Sequence, residues 1–437
     1  MENTLNMDLV DKHVMPVAEK ISNNKYLMAI RDGIALMMPF MIIGSFFLIL
    51  AFLPIPGYDT FMASVFGETW MDKVLYPVGA TYDLIAIFAS VGTAYRLAQR
   101  YNGLEPIIAA AITIAAYMLV TPYAIDFTVE ATGSQHEVYG LAIDYLGSKG
   151  MFLGIIIAIY STEVYRWMVS RNITFKLPDS VPPAVLKSFS ALLPAFVVIT
   201  SLAILRIAIE AVDLVSLHAI VTTVVSAPLT ALGSSVIGTM LAEFAEHALW
   251  ATGIHGSSVV GSVMSPIWLT LTDENRMAFQ AGLEIPNIIN QQFVEIFIWF
   301  GGSGGILALV LLLVFRSRSA QCKSIGKLGF GASIFNISEP IMFGLPVVLN
   351  PILIIPFIIT PMVCVLTTYF AMASGLVALP AGIAVPWTTP IFLSGYLVTG
   401  GHVSGAILQL FNLALAMAIY YPFFRKWDGI CLNSETK

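Results

Sequence analysis

Uninterrupted apolar runs constrain this chain before anything else does. Nothing between Ile34 and Leu53 is charged, and a second such run opens at Met151–Tyr160. As helices, such runs are long enough to cross a hydrocarbon core of about 30 Å. Composition agrees, because 11% of the residues are charged and 57% hydrophobic, where soluble domains carry about 25% charged residues. The runs are therefore read as membrane spans and not as core helices.

The first thirty residues differ. Glu2, Asp8, Asp11 and Glu19 are interleaved there with Lys12, Lys20 and Lys25, which leaves no apolar run for a cleavable signal peptide. Leu5, Leu9, Val10, Val14 and Val17 recur at helical spacing, so residues 1–30 are expected to form a cytoplasmic amphipathic segment lying against the bilayer. Five spans then follow over Ile34–Leu53, Val74–Tyr95, Pro106–Val120, Met151–Met168 and Leu192–Ile209. Lys12, Lys20, Lys25 and Arg31 precede the first, Arg96 and Arg100 follow the second, and Arg166, Arg171, Lys176 and Lys187 follow the fourth. The opposite loops hold only Lys73 and Lys149, beside Asp59, Glu68, Asp72, Asp126, Glu130, Glu137 and Asp144. Ten basic residues against two place the amino terminus inside, in a cytoplasmic membrane. The net charge of −6 is spread through loops and gives no reason to expect nucleic acid. Cys322, Cys364 and Cys431 lack CxxC spacing and are read as reduced bystanders.

In the second half the apolar runs are broken by Gly, Pro, Asn and Ser instead of by charged loops. One break lies in Trp250–Pro266, with Gly253-Ile254-His255-Gly256, and another in Gly329–Pro346, with Asn336-Ile337-Ser338-Glu339-Pro340. Irregular backbone at membrane depth survives only where protein or a watery cavity satisfies it, so both stretches are expected to be re-entrant hairpins lining a site. Pro380–Pro390, with Trp387-Thr388-Thr389, is a third broken element. Longer spans are expected over Leu229–Leu249, Phe293–Val314, Val347–Phe370 and His402–Tyr421. Two interrupted segments, each with an ionisable residue at its break, are the pattern of a transporter with a midplane site. The domain reading is a five-span domain over 31–213, an amphipathic linker over 214–228, a translocating domain over 229–424 and a cytoplasmic tail over 425–437.

His255 and Glu339 are the ionisable residues of the two breaks, and intramembrane charges are costly enough to be functional hypotheses. A carboxylate can accept a hydrogen bond from a sugar hydroxyl and act as its base, and a histidine can orient that hydroxyl. Each could equally pin its own loop. Trp250 and Trp387 offer apolar ring faces for pyranoses, or interfacial anchors. Asn290, beside Gln291 and Gln292, could bind hydroxyls or cap a helix. Glu243, Glu246 and His247 stand at helical spacing, either as metal ligands or as a hydrogen-bonded network supporting His255; the network is the preferred reading. Arg206 and Glu210 are expected to form a buried i,i+4 pair, and Asp83 has no assigned partner. No GxxxxGK[ST] or phosphate-cradling Cys occurs, so no ATP site or cofactor is expected, and any phosphate must come from another protein.

Ile30-Arg31-Asp32-Gly33, Leu53-Pro54-Ile55-Pro56-Gly57, Lys176-Leu177-Pro178-Asp179-Ser180-Val181-Pro182-Pro183-Ala184-Val185 and the two broken motifs together resemble the lactose/cellobiose/diacetylchitobiose enzyme IIC permeases of the bacterial phosphotransferase system. The resemblance covers about Met15 to Trp427. It implies an all-α polytopic membrane protein of about ten transmembrane helices with two re-entrant hairpins in its C-terminal half, dimerising through its first five spans. It also implies that Glu339 and His255 hold the sugar's 6-hydroxyl for a phosphocysteine on a IIB partner, fed through IIA, HPr and enzyme I from phosphoenolpyruvate. Trp250 and Trp387 would stack on a disaccharide, with Asn290 adding to the site. Because the chain ends soon after Arg425-Lys426-Trp427, IIB is expected to be a separate protein and a lactose substrate is disfavoured. The expected function is uptake and 6-O phosphorylation of a β-linked disaccharide by elevator-type movement of the C-terminal domain. An ion-coupled symporter using Asp83, Glu243 or Glu246, or a membrane sugar sensor, is the alternative.

Overall fold

The computed structural model describes residue 20 and residues 23–53, 55–129, 134–175, 189–212, 216–348 and 350–435. Most of the expected 1–30 segment, the 176–185 motif and the start of the 214–228 linker lie outside them. Two compact units are present. One comprises Asn24–Gly44 and Tyr76–Leu229, and the other Ser45–Leu75 and Thr230 onward.

In chain order, leaving aside the short helices Ile143–Leu146 and Leu217–Val221, the helices are α1 (Lys25–Ala35), α2 (Met38–Ala51), α3 (Tyr58–Phe66), α4 (Trp70–Gly79), α5 (Ile85–Ala98), α6 (Pro106–Val120), α7 (Met151–Ser170) and α8 (Leu192–Glu210). An antiparallel hairpin of β1 (Ala124–Val129) and β2 (Ser134–Tyr139), with Ala124 opposite Tyr139, joins α6 to α7, so the chain is mostly but not wholly helical. Asn24 caps α1 by accepting from the Tyr26 and Leu27 N–H groups, and Pro106 starts α6 where its missing N–H costs nothing. Gly33 of α1 lies against Gly92 and Thr93 of α5. A Cβ at Gly33 would stand 2.4 Å from the Thr93 nitrogen, and one at Gly92 2.5 Å from the Gly33 oxygen. Close backbone approach through small residues is how helices pack without a hydrophobic driving force between them. The neighbouring Asp32 pairs with Arg31 at 2.6 Å and Arg100 at 2.9 Å. Arg206 and Glu210 do pair, at 2.8 Å, but Glu210 is 55% exposed, so the expected buried pair is corrected. Arg206 also donates to the Leu119 carbonyl at 2.7 Å, closing the C-terminal end of α6 as a cation suits.

The chain continues with α9 (Ala227–Gly233), α10 (Val236–Ala251), α11 (Gly256–Gln280), α12 (Gln291–Phe297), α13 (Ile306–Arg316), α14 (Ala320–Ile334), α15 (Glu339–Gly344), α16 (Ile354–Ala373), α17 (Leu393–Val398) and α18 (Val403–Glu435). The span expected over Leu229–Leu249 is broken, because α9 ends at Gly233 and α10 begins at Val236, with Ser234-Ser235 between them. Ser235 caps the new helix through the Gly238 N–H at 2.9 Å. The span expected over Phe293–Val314 is also broken, at a run of four positive-φ glycines, Gly301, Gly302, Gly304 and Gly305. Conversely, the Trp250–Pro266 break is confined to Thr252–His255, and α11 runs on through Pro266. The last helix extends through Glu435, which makes the expected 425–437 tail largely helical.

Among the described residues, six helical stretches are long and apolar enough to cross a bilayer, or seven if the helices either side of Ser234-Ser235 count as one. Pro106–Val120 and Ser303–Arg316 are shorter apolar helices.

Candidate functional site

The first site loop sits between α10 and α11. Glycine is required there, since a Cβ at Gly256 would lie 1.9 Å from the Glu246 carbonyl oxygen. His255 caps α11, with Nδ1 accepting the Ser258 N–H at 3.2 Å and lying 3.0 Å from the Ser258 hydroxyl. A neutral imidazole held this way carries its proton on Nε2. His255 is exposed and its ring lies against Trp250, centroid to centroid 4.3 Å. Trp250 itself is 3% exposed. Its indole N–H donates to the Ser257 hydroxyl at 3.1 Å, which in turn donates to Glu246 Oε1 at 2.6 Å.

Glu243, Glu246 and His247 are all buried. Glu246 also accepts from the Ser303 hydroxyl at 3.1 Å, and Glu243 accepts from the Trp299 indole at 2.9 Å. His247 Nδ1 lies 2.7 Å from the Glu243 carbonyl oxygen, which can only accept, and Nε2 accepts the Gly304 N–H at 2.8 Å. The ring is therefore a neutral Nδ1–H tautomer with no lone pair left for a metal. The cluster forms a hydrogen-bonded frame that holds the Trp250–Ser257 loop to the glycine break.

The second loop, between α14 and α15, presents Glu339 as an exposed first-turn carboxylate followed by Pro340. Three residues earlier Asn336 takes a left-handed φ of 61°, which Asn tolerates better than most residues. Its Oδ1 accepts the Gly301 N–H at 2.6 Å. Its Nδ2 donates to the carbonyls of Trp387 at 2.5 Å and Thr389 at 3.1 Å. Trp387 is 43% exposed. Asn290 is fully buried and caps α12 by accepting the Phe293 N–H at 2.9 Å, the second of the two roles open to it from sequence.

Other residues here escaped sequence reasoning. Glu295, a buried carboxylate inside the run read as apolar, accepts from Gln291 at 2.7 Å and Gln292 at 3.3 Å, while Gln292 Oε1 accepts the Val385 N–H at 3.0 Å. The carbonyls freed at the broken end of α12 are caught from α18, with Gln409 donating to Ile296 at 2.9 Å and Asn412 to Phe297 at 3.1 Å. The Tyr420 hydroxyl donates to the Gly304 carbonyl at 2.8 Å. The available signal was a pair of amides, i and i+3, within an apolar helix, where isolated polar groups need partners. Asp83 lies in a single turn, Tyr82–Leu84, in the other unit.

The profile of the "Phosphotransferase system, EIIC" family matches residues 31–361. The chain belongs to this family. Over 423 residues this EIIC is 53% identical to the cellobiose-specific EIIC component of the Geobacillus stearothermophilus phosphotransferase system, covering 96% of this chain and 94% of that one. It is 52% identical to the putative permease IIC component YwbA of Bacillus subtilis (strain 168), covering 96% and 95%. The crystal structure of the transporter ChbC, the IIC component of an N,N'-diacetylchitobiose-specific phosphotransferase system, superposes with a TM-score of 0.95 at 48% identity, covering 98% of this chain and 99% of that one. The EIIC is thus a membrane permease component serving sugar uptake.

Proposed function

We propose that the chain takes up a β-linked disaccharide of the cellobiose or N,N'-diacetylchitobiose class, and that a phosphorylated IIB protein phosphorylates the 6-hydroxyl at this site. One observation carries the reading. Two of the helix breaks in the second unit carry an exposed histidine and an exposed carboxylate, His255 and Glu339, and Asn336, three residues before Glu339, hydrogen-bonds to the segment bearing the half-exposed Trp387. Relatives specific for cellobiose and for N,N'-diacetylchitobiose support the substrate class.

In this reading Trp387 supplies an open ring face for a pyranose. Trp250 forms the wall behind His255, and Asn290 sets the start of α12 beside them in sequence with Gln291 and Gln292. His255 orients the 6-hydroxyl, and Glu339 accepts its proton as the oxygen attacks phosphorus. A P–O bond forms, the P–S bond of the partner's phosphocysteine breaks, and the thiolate leaves. Such transfer depends chiefly on positioning and charge stabilisation. The sugar-bearing unit moves its cargo between the two membrane faces within a homodimer whose termini are cytoplasmic.

The test is phosphorylation of external disaccharide in reconstituted vesicles supplied with phospho-IIB. Glu339→Gln is expected to lower the transfer rate at least ~100-fold, the lower end of general acid–base contributions, while retaining measurable sugar binding. Transfer at the wild-type rate removes Glu339 from its role. Accumulation of unmodified sugar under an imposed ion gradient replaces the whole reading by a symporter.

A further inference from the structure

We infer that Asn336 is a positioning residue for sugar binding, acting through Trp387 rather than by touching the sugar; this rests on the site reading above. Its carboxamide is used at both ends, since the oxygen faces an N–H, that of Gly301, and the nitrogen faces two carbonyls, those of Trp387 and Thr389. Neither end can be exchanged, because the oxygen would then meet two carbonyl oxygens and the nitrogen an N–H. Asn336 is itself buried, 7% exposed, so water does not replace these bonds cheaply.

What the side chain joins is specific. Gly301 opens the glycine break, and its φ of 80° together with the 2.2 Å that would separate its Cβ from the Leu307 nitrogen bars any other residue there. Gly302 lies against Ser338, with 2.6 Å left for a Cβ. The break therefore packs on the segment leading to Glu339, and Asn336 extends that packing to the backbone carrying Trp387. On the other side the Trp387 segment is held by the Val385 N–H on Gln292 and the Ala384 N–H on Ser45, at 3.0 and 2.7 Å. Asn336 thus sets how far the aromatic face stands from the carboxylate, a spacing that a disaccharide must match.

Asn336→Asp tests this with little change of shape, since it keeps the left-handed preference but turns an oxygen toward two carbonyls. Asn336→Gly keeps the backbone at no steric cost and removes the amide, which covers the case in which the first variant does not fold. The readout is calorimetric affinity of the detergent-solubilised chain for cellobiose and for N,N'-diacetylchitobiose, in the wild type and in Trp387→Ala. For the better-bound sugar, Asn336→Asp is expected to weaken affinity about tenfold or more, the loss of a buried hydrogen bond plus a repulsive contact. In the Trp387→Ala background it should cost less than about threefold, because contacting residues in one chain of action are non-additive. Lowering the pH, which protonates the introduced carboxyl and restores one donor, should recover part of the lost affinity relative to wild type. Equal losses in both backgrounds show a general structural role and overturn the inference. If Trp387→Ala weakens binding but neither Asn336 variant does, the inference alone fails. If Trp387→Ala changes nothing, the site reading fails and takes the inference with it.

Discussion

His247 shows how tightly single residues are specified here. Both of its ring nitrogens are spoken for, one by the Glu243 carbonyl and one by the Gly304 N–H, and its ring packs on Phe357 with centroids 5.0 Å apart. His247→Phe preserves the packing but leaves the Gly304 N–H buried without a partner. It should lower stability by about 1–3 kcal/mol, read as a fall in the thermal unfolding midpoint of the purified chain. An unchanged midpoint would mean that the glycine break finds another acceptor. From sequence, the Glu243/Glu246/His247 spacing was visible, but its partners were not. Trp299, Ser303 and Gly304 lie more than fifty positions away, and no local pattern announces such pairings.

At the scale of elements, the Gly33–Gly92 crossing gives a physical reason for the Ile30-Arg31-Asp32-Gly33 motif, whose first notice came only from resemblance. Gly33→Leu should be disruptive, because the contact is backbone against backbone and cannot yield by a rotamer change. A loss of about 3 kcal/mol or more is expected, at the upper end of overpacking effects, measured by denaturant or thermal unfolding in detergent. A neutral result would show that α1 and α5 can separate without cost. The broken elements were unequally legible. The breaks at Gly253–Gly256 and Asn336–Pro340 stood out because they combine helix-breaking residues with an ionisable one. Gly301–Gly305 is hidden in the sequence because its flanks, Phe293–Phe300 and Ile306–Val314, are apolar enough to read as one span. Hydropathy averages over a break that φ angles reveal at once.

For the molecule as a whole, orientation is the property most open to a direct test. Lys149, on the loop before α7, is half-exposed, and Arg171, at the end of α7, is exposed, while the three native cysteines are buried. Under the charge asymmetry, a membrane-impermeant maleimide applied to intact cells should label Lys149→Cys and leave Arg171→Cys unlabelled. The reverse pattern would invert the proposed topology. What sequence alone determined were quantities summed over many residues, namely membrane residence, the basic asymmetry of the loops and the presence of two interrupted, ionisable segments. Such sums tolerate error at any one position. Tertiary structure alone decided which helices stay continuous and who satisfies the backbone where they do not. Gln409 and Asn412 close the broken end of α12, and Tyr420 binds the glycine break beyond it, each from more than a hundred positions away. In an interior without water each freed N–H and C=O must find a protein partner, and which partner arrives is a property of the fold.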